Sequence, residues 1–313
     1  MSKETVVVSG AAGRVGTQIV QALVDTGYIV QASVHRTPPP EHPLARLPVP
    51  LQVLNLAALP EQEVSRWLQS IRPQALVHGA ALSDVADCER QPELAFLLNA
   101  RVTEMLARIC ARQQIHFLLL SSEQVFAGTA SPHRLYNEED AVAPLNCYGR
   151  SKVQAELVTR DTCAGRTPWT ICRLSVVYGP AHAPGFWRPD FLRWVHSTLA
   201  RGESVRIVTD QVNSPLFIGD LQAALVALVQ QRLQGIYHLA GCTPLSRYDC
   251  ALQIAGASGL DETLIQPVRT SSLDLGAPRP LNVGLCIKKI RRQAGIHPRS
   301  FAAGLAACLP LRA

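Results

Sequence analysis

The stretch Val6-Val7-Val8-Ser9-Gly10-Ala11-Ala12-Gly13-Arg14-Val15-Gly16 runs an apolar strand into the start of a helix through three glycines spaced by three. A helix N-terminus has N–H groups without internal partners and the positive end of the helix dipole, so it suits a pyrophosphate. Gly10 permits the tight turn, Gly13 lets backbone approach the phosphates, and Gly16 lets helix pack on strand. Against 20 glycines in 313 residues, chance supplies about 0.08 such triples. The stretch predicts an opening β–α unit that holds a dinucleotide.

The same alternation continues outward. Tyr28 to Val34, Leu51 to Leu54, Ala75 to His78, Ile115 to Leu120 and Trp169 to Leu174 read as strands two to six. Helical stretches fall near 14–26, 61–71, 92–113 and 147–163. Continuous apolar strands alternating with helices predict an α/β fold, a Rossmann-type doubly wound parallel sheet covered on both faces. After residue 178 the pattern loosens. Pro180, Pro184, Gly185 and Pro189 read as a loop, followed by a helix near 190–201, a strand at Val205 to Val208, and helices near 219–231 and 246–258. The expected division is a cofactor domain at 1–178 and a smaller mixed α/β lobe at 179–313, with some segments returning to the first domain.

Composition narrows the function classes. The chain is 47% hydrophobic and 17% charged, which excludes a mostly disordered chain. No run of 18 apolar residues is present, so no membrane span is expected. The opening MSKETVVVSG reads as a strand, not as a signal peptide. Nine scattered cysteines form no C-x-x-C pair, and their odd number suits neither a disulfide framework nor a zinc site. They predict small buried hydrophobes in a reducing cytoplasm. The net charge of +6 raises nucleic acid as a partner. Dispersed arginines and an aromatic content of 5% argue instead for a small anionic ligand.

Three further motifs carry chemistry. At the end of strand two, Ser33-Val34-His35-Arg36 lacks the Asp or Glu that would bind a ribose 2′-hydroxyl. The Arg36 fork suits a 2′-phosphate and so NADP, with Arg14 as a second candidate. Tyr148 and Lys152 lie four apart on one helix face. An ammonium there is expected to lower the phenol pKa and to make Tyr148 a proton donor. Ser121-Ser122 ends strand five, where open α/β sheets bind ligands, and Ser122 can polarise a carbonyl. Ala80 and Ala81, after strand four, leave room for a nicotinamide ribose. His78 reads as a core residue, Asp87 and Glu89 as capping or surface groups, and Trp169, Trp187 and Trp194 as packing residues. Asn99 reads as a helix polar group or as one that orders the site.

In this order the motifs resemble the extended short-chain dehydrogenase/reductases, and most closely the dTDP-4-dehydrorhamnose reductase-like family. The likeness rests on VSGAAGRVG (8–16), HGAALSDVADCERQPELAFLLNA (78–100), LSSEQVFAG (120–128), EEDAVAPLNCYGRSKVQAE (138–156) and CRLSVVYG (172–179). It continues through DQVNSPLFIGDLQAAL (210–225), GIYHLAG (235–241) and APRPLNVGL (277–285). The resemblance implies Ser122, Tyr148 and Lys152 as the catalytic set. It implies Gly10, Gly13, Arg14, Val15, Gly16, His35, Arg36, Ala80, Ala81 and Asn99 at the NADP site, joined by Tyr148 and Lys152. Arg173 to Tyr178 are expected near the nicotinamide and the substrate entrance, and Glu123, Gln124 and Arg279 near the substrate. Family members typically carry Asp-Tyr where this chain has Glu123-Gln124.

The implied activity is NADPH-dependent reduction of a nucleotide-linked 4-keto-6-deoxy sugar in the cytoplasm. No metal, nucleic acid or membrane partner is implied, and a homodimer is admitted. The pattern is equally similar to the methionine adenosyltransferase regulatory subunit. The motifs leave open a non-catalytic NADP-binding partner, and also another sugar-nucleotide epimerase or reductase of the superfamily.

Overall fold

The computed structural model describes residues 4–131, 134–180 and 190–309. Its centre is a sheet of seven strands: β1 (Thr5–Ser9), β2 (Ile29–Val34), β3 (Leu51–Val53), β4 (Ala75–His78), β5 (His116–Ser122), β6 (Trp169–Leu174) and β7 (Gly235–Leu239). Every pairing is parallel, and the order is β7-β6-β5-β4-β1-β2-β3. The strands read as unbroken apolar runs because side chains alternate between two covered faces. Val6 and Val8 join one core with Val77, Leu118 and Cys172. Val7 joins the other with Leu76, Phe117 and Ile171. Helix α1 (Arg14–Asp25) contributes Ile19, Val20 and Leu23 to the first core. Helices α2 (Glu61–Ile71) and α3 (Val102–Gln113) contribute Val64, Leu68, Leu106 and Ile109 to the second. Each such side chain contributes about 1.5–3 kcal/mol by leaving water.

Three features refine the sequence reading. The helix expected at 92–113 is interrupted: Pro92–Phe96 is followed by a π turn at Leu97–Arg101 before α3 begins. The short run Gly235–Leu239 is a seventh sheet strand, paired with β6. The helix expected near 219–231, here α5 (Ile218–Gln230), packs on α1, where Gln222 Nε2 donates to the Gln18 carbonyl at 3.0 Å. A cut at residue 178 therefore crosses this sheet, since the chain leaves it after β6 and returns for α5 and β7.

Other C-terminal elements form the lobe. Val205–Val208 pairs in parallel with Ile265–Val268, and Val212–Asn213 pairs antiparallel with Leu245–Ser246. Helices Phe191–Ala200 and Arg247–Ser258 cover them. Residues 282–286 strap the lobe to the first domain, with Asn282 N donating to Gly128 O and Cys286 N to Tyr136 O. Most of the proline loop, with Trp187, lies outside the described residues. Trp194 is 40% exposed, and its ring packs 6.0 Å from that of Phe191 on the same lobe helix. Seven of the nine cysteines are buried and none is disulfide-bonded, while Cys242 is exposed. Among the described residues there is no cluster of His, Cys, Asp and Glu that could hold a metal, and no helix long and apolar enough to cross a membrane.

Candidate active site

The strand order reverses between β1 and β4, and open sheets of this kind bind ligands at the carboxyl ends of the strands there. A cavity of about 550 Å³ opens at that point. One wall is Gly10, Gly13, Arg14, Val15 and Gly16. Gly10 has φ +71°, and a Cβ on it would lie 2.5 Å from Ala80 N, so glycine alone lets the β1 turn close on the β4 end. Helix α1 starts at Gly13 with no side-chain cap and no acidic residue in its first turn. Its positive end is thus turned to the cavity for an anion. His35 lines the cavity at the end of β2, and Ala80 and Ala81 line it after β4.

Sequence reasoning missed part of this wall. Leu54, Asn55, Leu56 and Ala57 follow β3 and also line the cavity. The parallel sheet was the available signal, because it brings every strand's carboxyl end to one edge. Arg36 is exposed, one residue beyond the lining His35, and does not itself line the cavity. Arg14 does, and its guanidinium pairs with Asp190 at 3.3 Å.

On the opposite wall stand Tyr148 and Lys152, one turn apart on α4 (Cys147–Cys163). Two side chains cap this helix: Asn146 Oδ1 accepts from Gly149 N and Glu89 Oε2 accepts from Cys147 N, both at 2.8 Å. A Cβ on Gly149 would lie 2.2 Å from Gln124 O, so this glycine lets the loop after β5 rest directly on the helix. That loop carries Ser122, whose hydroxyl hydrogen-bonds Tyr148 and accepts from Gln124 N at 3.2 Å. Asn99 sits in the π turn, a form frequent at functional sites. It does not line the cavity; it orders it. Its Oδ1 accepts from Leu82 N at 2.8 Å, and its Nδ2 donates to Ser151 Oγ at 2.9 Å. One amide thereby ties the loop after β4 to α4. His78 is a satisfied core residue, bonded to Ser9 Oγ at 2.6 Å and Thr103 Oγ1 at 3.1 Å.

Burial overrides the expected effect of Lys152 on Tyr148. It pushes the phenol up to about 12, against the smaller downward effect of the Ser122 hydrogen bond. It also brings Lys152 down to about 8, with Glu156 acting in the opposite direction. A phenol that stays protonated at neutral pH is the state a proton donor needs. Of the two, Lys152 is therefore the one that titrates in the working range, and its ammonium is present below about pH 8 and lost above it. A profile of kcat/KM from pH 6 to 10 should fall about tenfold per unit above that point. A flat profile up to pH 10 would show that the Lys152 charge is not required.

Arg173 was expected near the substrate entrance. It is instead buried against α4, with Nε and a terminal nitrogen on Glu156 at 3.0 and 2.8 Å. Ser121 Oγ donates to the same carboxylate at 2.5 Å. Tyr178 is likewise buried, its hydroxyl donating to Phe301 O, while Leu174 does line the cavity.

The three residues expected at the substrate lie outside the cavity lining. Glu123 is 2% exposed, and both carboxylate oxygens are engaged by Ser175 and Asn213, so it is not turned toward a sugar. Gln124 Oε1 accepts from Asn146 Nδ2 at 3.0 Å. Arg279 is half-buried between the attraction of Asp84 and the repulsion of Arg247, with burial itself lowering its pKa. Arg247, which the sequence analysis did not single out, faces both Arg279 and Glu123.

The family model described as RmlD substrate binding domain matches residues 4–312. The chain belongs to this family. Within the RmlD-type proteins it is 30% identical to the "Probable low-salt glycan biosynthesis reductase Agl14" of Haloferax volcanii, over 96% of this chain and 95% of the relative. It is 26% identical to "Methionine adenosyltransferase 2 subunit beta" of Xenopus laevis, over 95% of this chain and 85% of the relative. Its fold matches a solved dTDP-4-dehydrorhamnose reductase from Bacillus anthracis in complex with NADP, with TM-score 0.83, 24% identity, and 97% and 98% of the two chains covered.

Proposed function

We propose that the chain is an NADPH-dependent reductase of a nucleotide-linked 4-keto-6-deoxy sugar. The observation that carries this reading is the placement of Tyr148 and Lys152 across one cavity from the uncapped start of α1, with Ser122 bonded to Tyr148. Bound NADPH supplies a hydride to the keto carbon. The α1 N-terminus and Gly13 hold the pyrophosphate, and Ala80 and Ala81 leave space beside the ribose. Ser122 orients the keto oxygen, and Tyr148 gives it a proton as negative charge develops there. Lys152 holds the ribose, and its ammonium stabilises the phenolate that remains. Arg279 and Arg247 supply positive charge for the nucleotide diphosphate in the lobe.

The family membership, the reductase relative and the NADP carried by the structural neighbour support this reading. The reading is of a cytoplasmic protein with a small-molecule ligand, and it admits a homodimer. Loss of NADPH absorbance at 340 nm with dTDP-4-dehydrorhamnose tests it directly. Tight NADPH binding without oxidation across a panel of nucleotide 4-keto sugars would favour the non-catalytic role that the methionine adenosyltransferase likeness suggests.

Choice of NADP over NAD rests on a β2 end without acid, flanked by Arg14 and Arg36. Replacing either arginine by alanine should weaken NADPH about tenfold and leave NADH nearly unchanged, the size of one charge-assisted hydrogen bond. Fluorescence titration with both cofactors reads this, and equal losses would remove that arginine as the 2′-phosphate partner.

A further inference from the structure

Glu123 sits where two parts of the molecule meet. It follows Ser122 at the end of β5, in the first domain. Its Oε1 accepts from Asn213 Nδ2 at 2.6 Å, on a lobe strand, and its Oε2 accepts from Ser175 Oγ at 2.5 Å, just after β6. The chain of bonds runs on. Ser175 Oγ accepts from Ser214 N at 3.2 Å, and Ser214 Oγ accepts from Leu285 N at 3.1 Å, in the segment that straps the lobe to the first domain. Glu123 is 2% exposed, so no part of this arrangement is a surface contact. The charged and titratable groups facing it are the Arg247 guanidinium and the Tyr148 phenol.

We infer that Glu123 is a positioning residue, whose carboxylate fastens the lobe strand at Asn213 to the strand end that carries Ser122, and so sets the lobe over the bound sugar. A buried carboxylate with both oxygens accepting is well suited to this. Asn213 Nδ2 and Ser175 Oγ both donate to it, and neither oxygen is left for solvent or substrate. The side chain thus acts on substrate binding through the lobe, without touching the sugar. The inference rests on the sugar-nucleotide reading only for its kinetic consequence, because the fastening itself is a property of the fold.

The protonation state follows from the same geometry. Burial raises the Glu123 pKa to about 7, against the hydrogen bond from Ser175, the charge of Arg247 and the hydrogen bond from Asn213. Protonation removes the charge that strengthens both hydrogen bonds, so the fastening is tightest in the ionised form and weakens as pH falls below about 7.

Hydrogen exchange tests the fastening without any substrate. In Glu123→Gln the charge is lost and one acceptor oxygen is left for two donors, Asn213 Nδ2 and Ser175 Oγ. The amides of Ser214 and Leu285 should then exchange about tenfold faster, with those of the central strands β1 and β4 unchanged. With dTDP-4-dehydrorhamnose, KM should rise about tenfold with kcat altered far less, and the KM rise expected of the wild type below pH 7 should vanish. The double variant Glu123→Gln/Asn213→Asp exchanges donor and acceptor across the pair, and should bring exchange and KM back toward wild type. Unchanged exchange at Ser214 and Leu285 in Glu123→Gln would overturn the inference, as would uniformly faster exchange that the double variant does not reverse. Absence of turnover by the wild-type protein would count against the function reading, while the exchange result would still decide this one.

Discussion

Tyr148→Phe should lower kcat by about a thousandfold while NADPH binds with nearly unchanged affinity. The substitution removes one oxygen from a side chain whose ring already lies against the cavity wall, so the cofactor pocket keeps its shape. What is lost is the proton donor. A positioned general acid is worth about 10²–10⁴ in rate, and burial keeps this phenol protonated through the neutral range. The Ser122 hydroxyl would remain beside the oxygen but is too weak an acid to replace it. Steady-state oxidation of NADPH, paired with a fluorescence titration of the cofactor, separates the two effects. Full activity in the variant would remove Tyr148 as donor, and a matching loss of NADPH affinity would make it a binding residue only.

Arg173→Ala should be the most destabilising single change near the site. The Arg173–Glu156 pair has side chains 4% and 7% exposed, and Glu156 also accepts from Ser121. Removing the cation leaves a buried carboxylate with the Ser121 hydroxyl as its hydrogen-bond donor and only the more distant Lys152 charge to offset it, which costs about 3–5 kcal/mol. For a chain of this size the melting temperature should fall by about 10 °C. Replacing both partners with apolar residues, as in Arg173→Met/Glu156→Leu, should restore much of that loss, because no buried charge is then left over. Thermal unfolding of the two single variants and the double variant forms the test. Equal melting temperatures for Arg173→Ala and wild type would show that the pair adds nothing to stability.

Much of this architecture was legible in the sequence because its signals are local. The glycine turn at Gly10 to Gly16, the apolar runs of β1 and β4, and the Tyr148–Lys152 spacing each need only a short window. The glycine wall and the Tyr148–Lys152 wall followed from these, while the lining stretch Leu54 to Ala57 after β3 was missed. What escaped depends on contacts distant in sequence. Gly235–Leu239 has few residues and includes Tyr237 and His238, so nothing local distinguishes it from a lobe strand. Its place in the sheet is set by pairing with β6. Arg173 looked like an entrance residue until its partner Glu156, 17 positions earlier, took up its charge. Glu123 looked like a sugar contact because it adjoins Ser122; Asn213, 90 positions away, turns it inward. The effect of Lys152 on Tyr148 was misjudged for a different reason. Proximity of charge is readable from spacing, whereas desolvation is set by everything packed around the pair.

The central claim is a hydride transfer completed by a proton from Tyr148. Its most direct test uses NADPH deuterated at nicotinamide C4, with dTDP-4-dehydrorhamnose and the wild-type protein. One deuterium on the former keto carbon of the sugar, found by mass spectrometry and located by NMR, is the result this account predicts. A reduced or altered sugar without that deuterium, or no reaction while the cofactor stays bound, would contradict it.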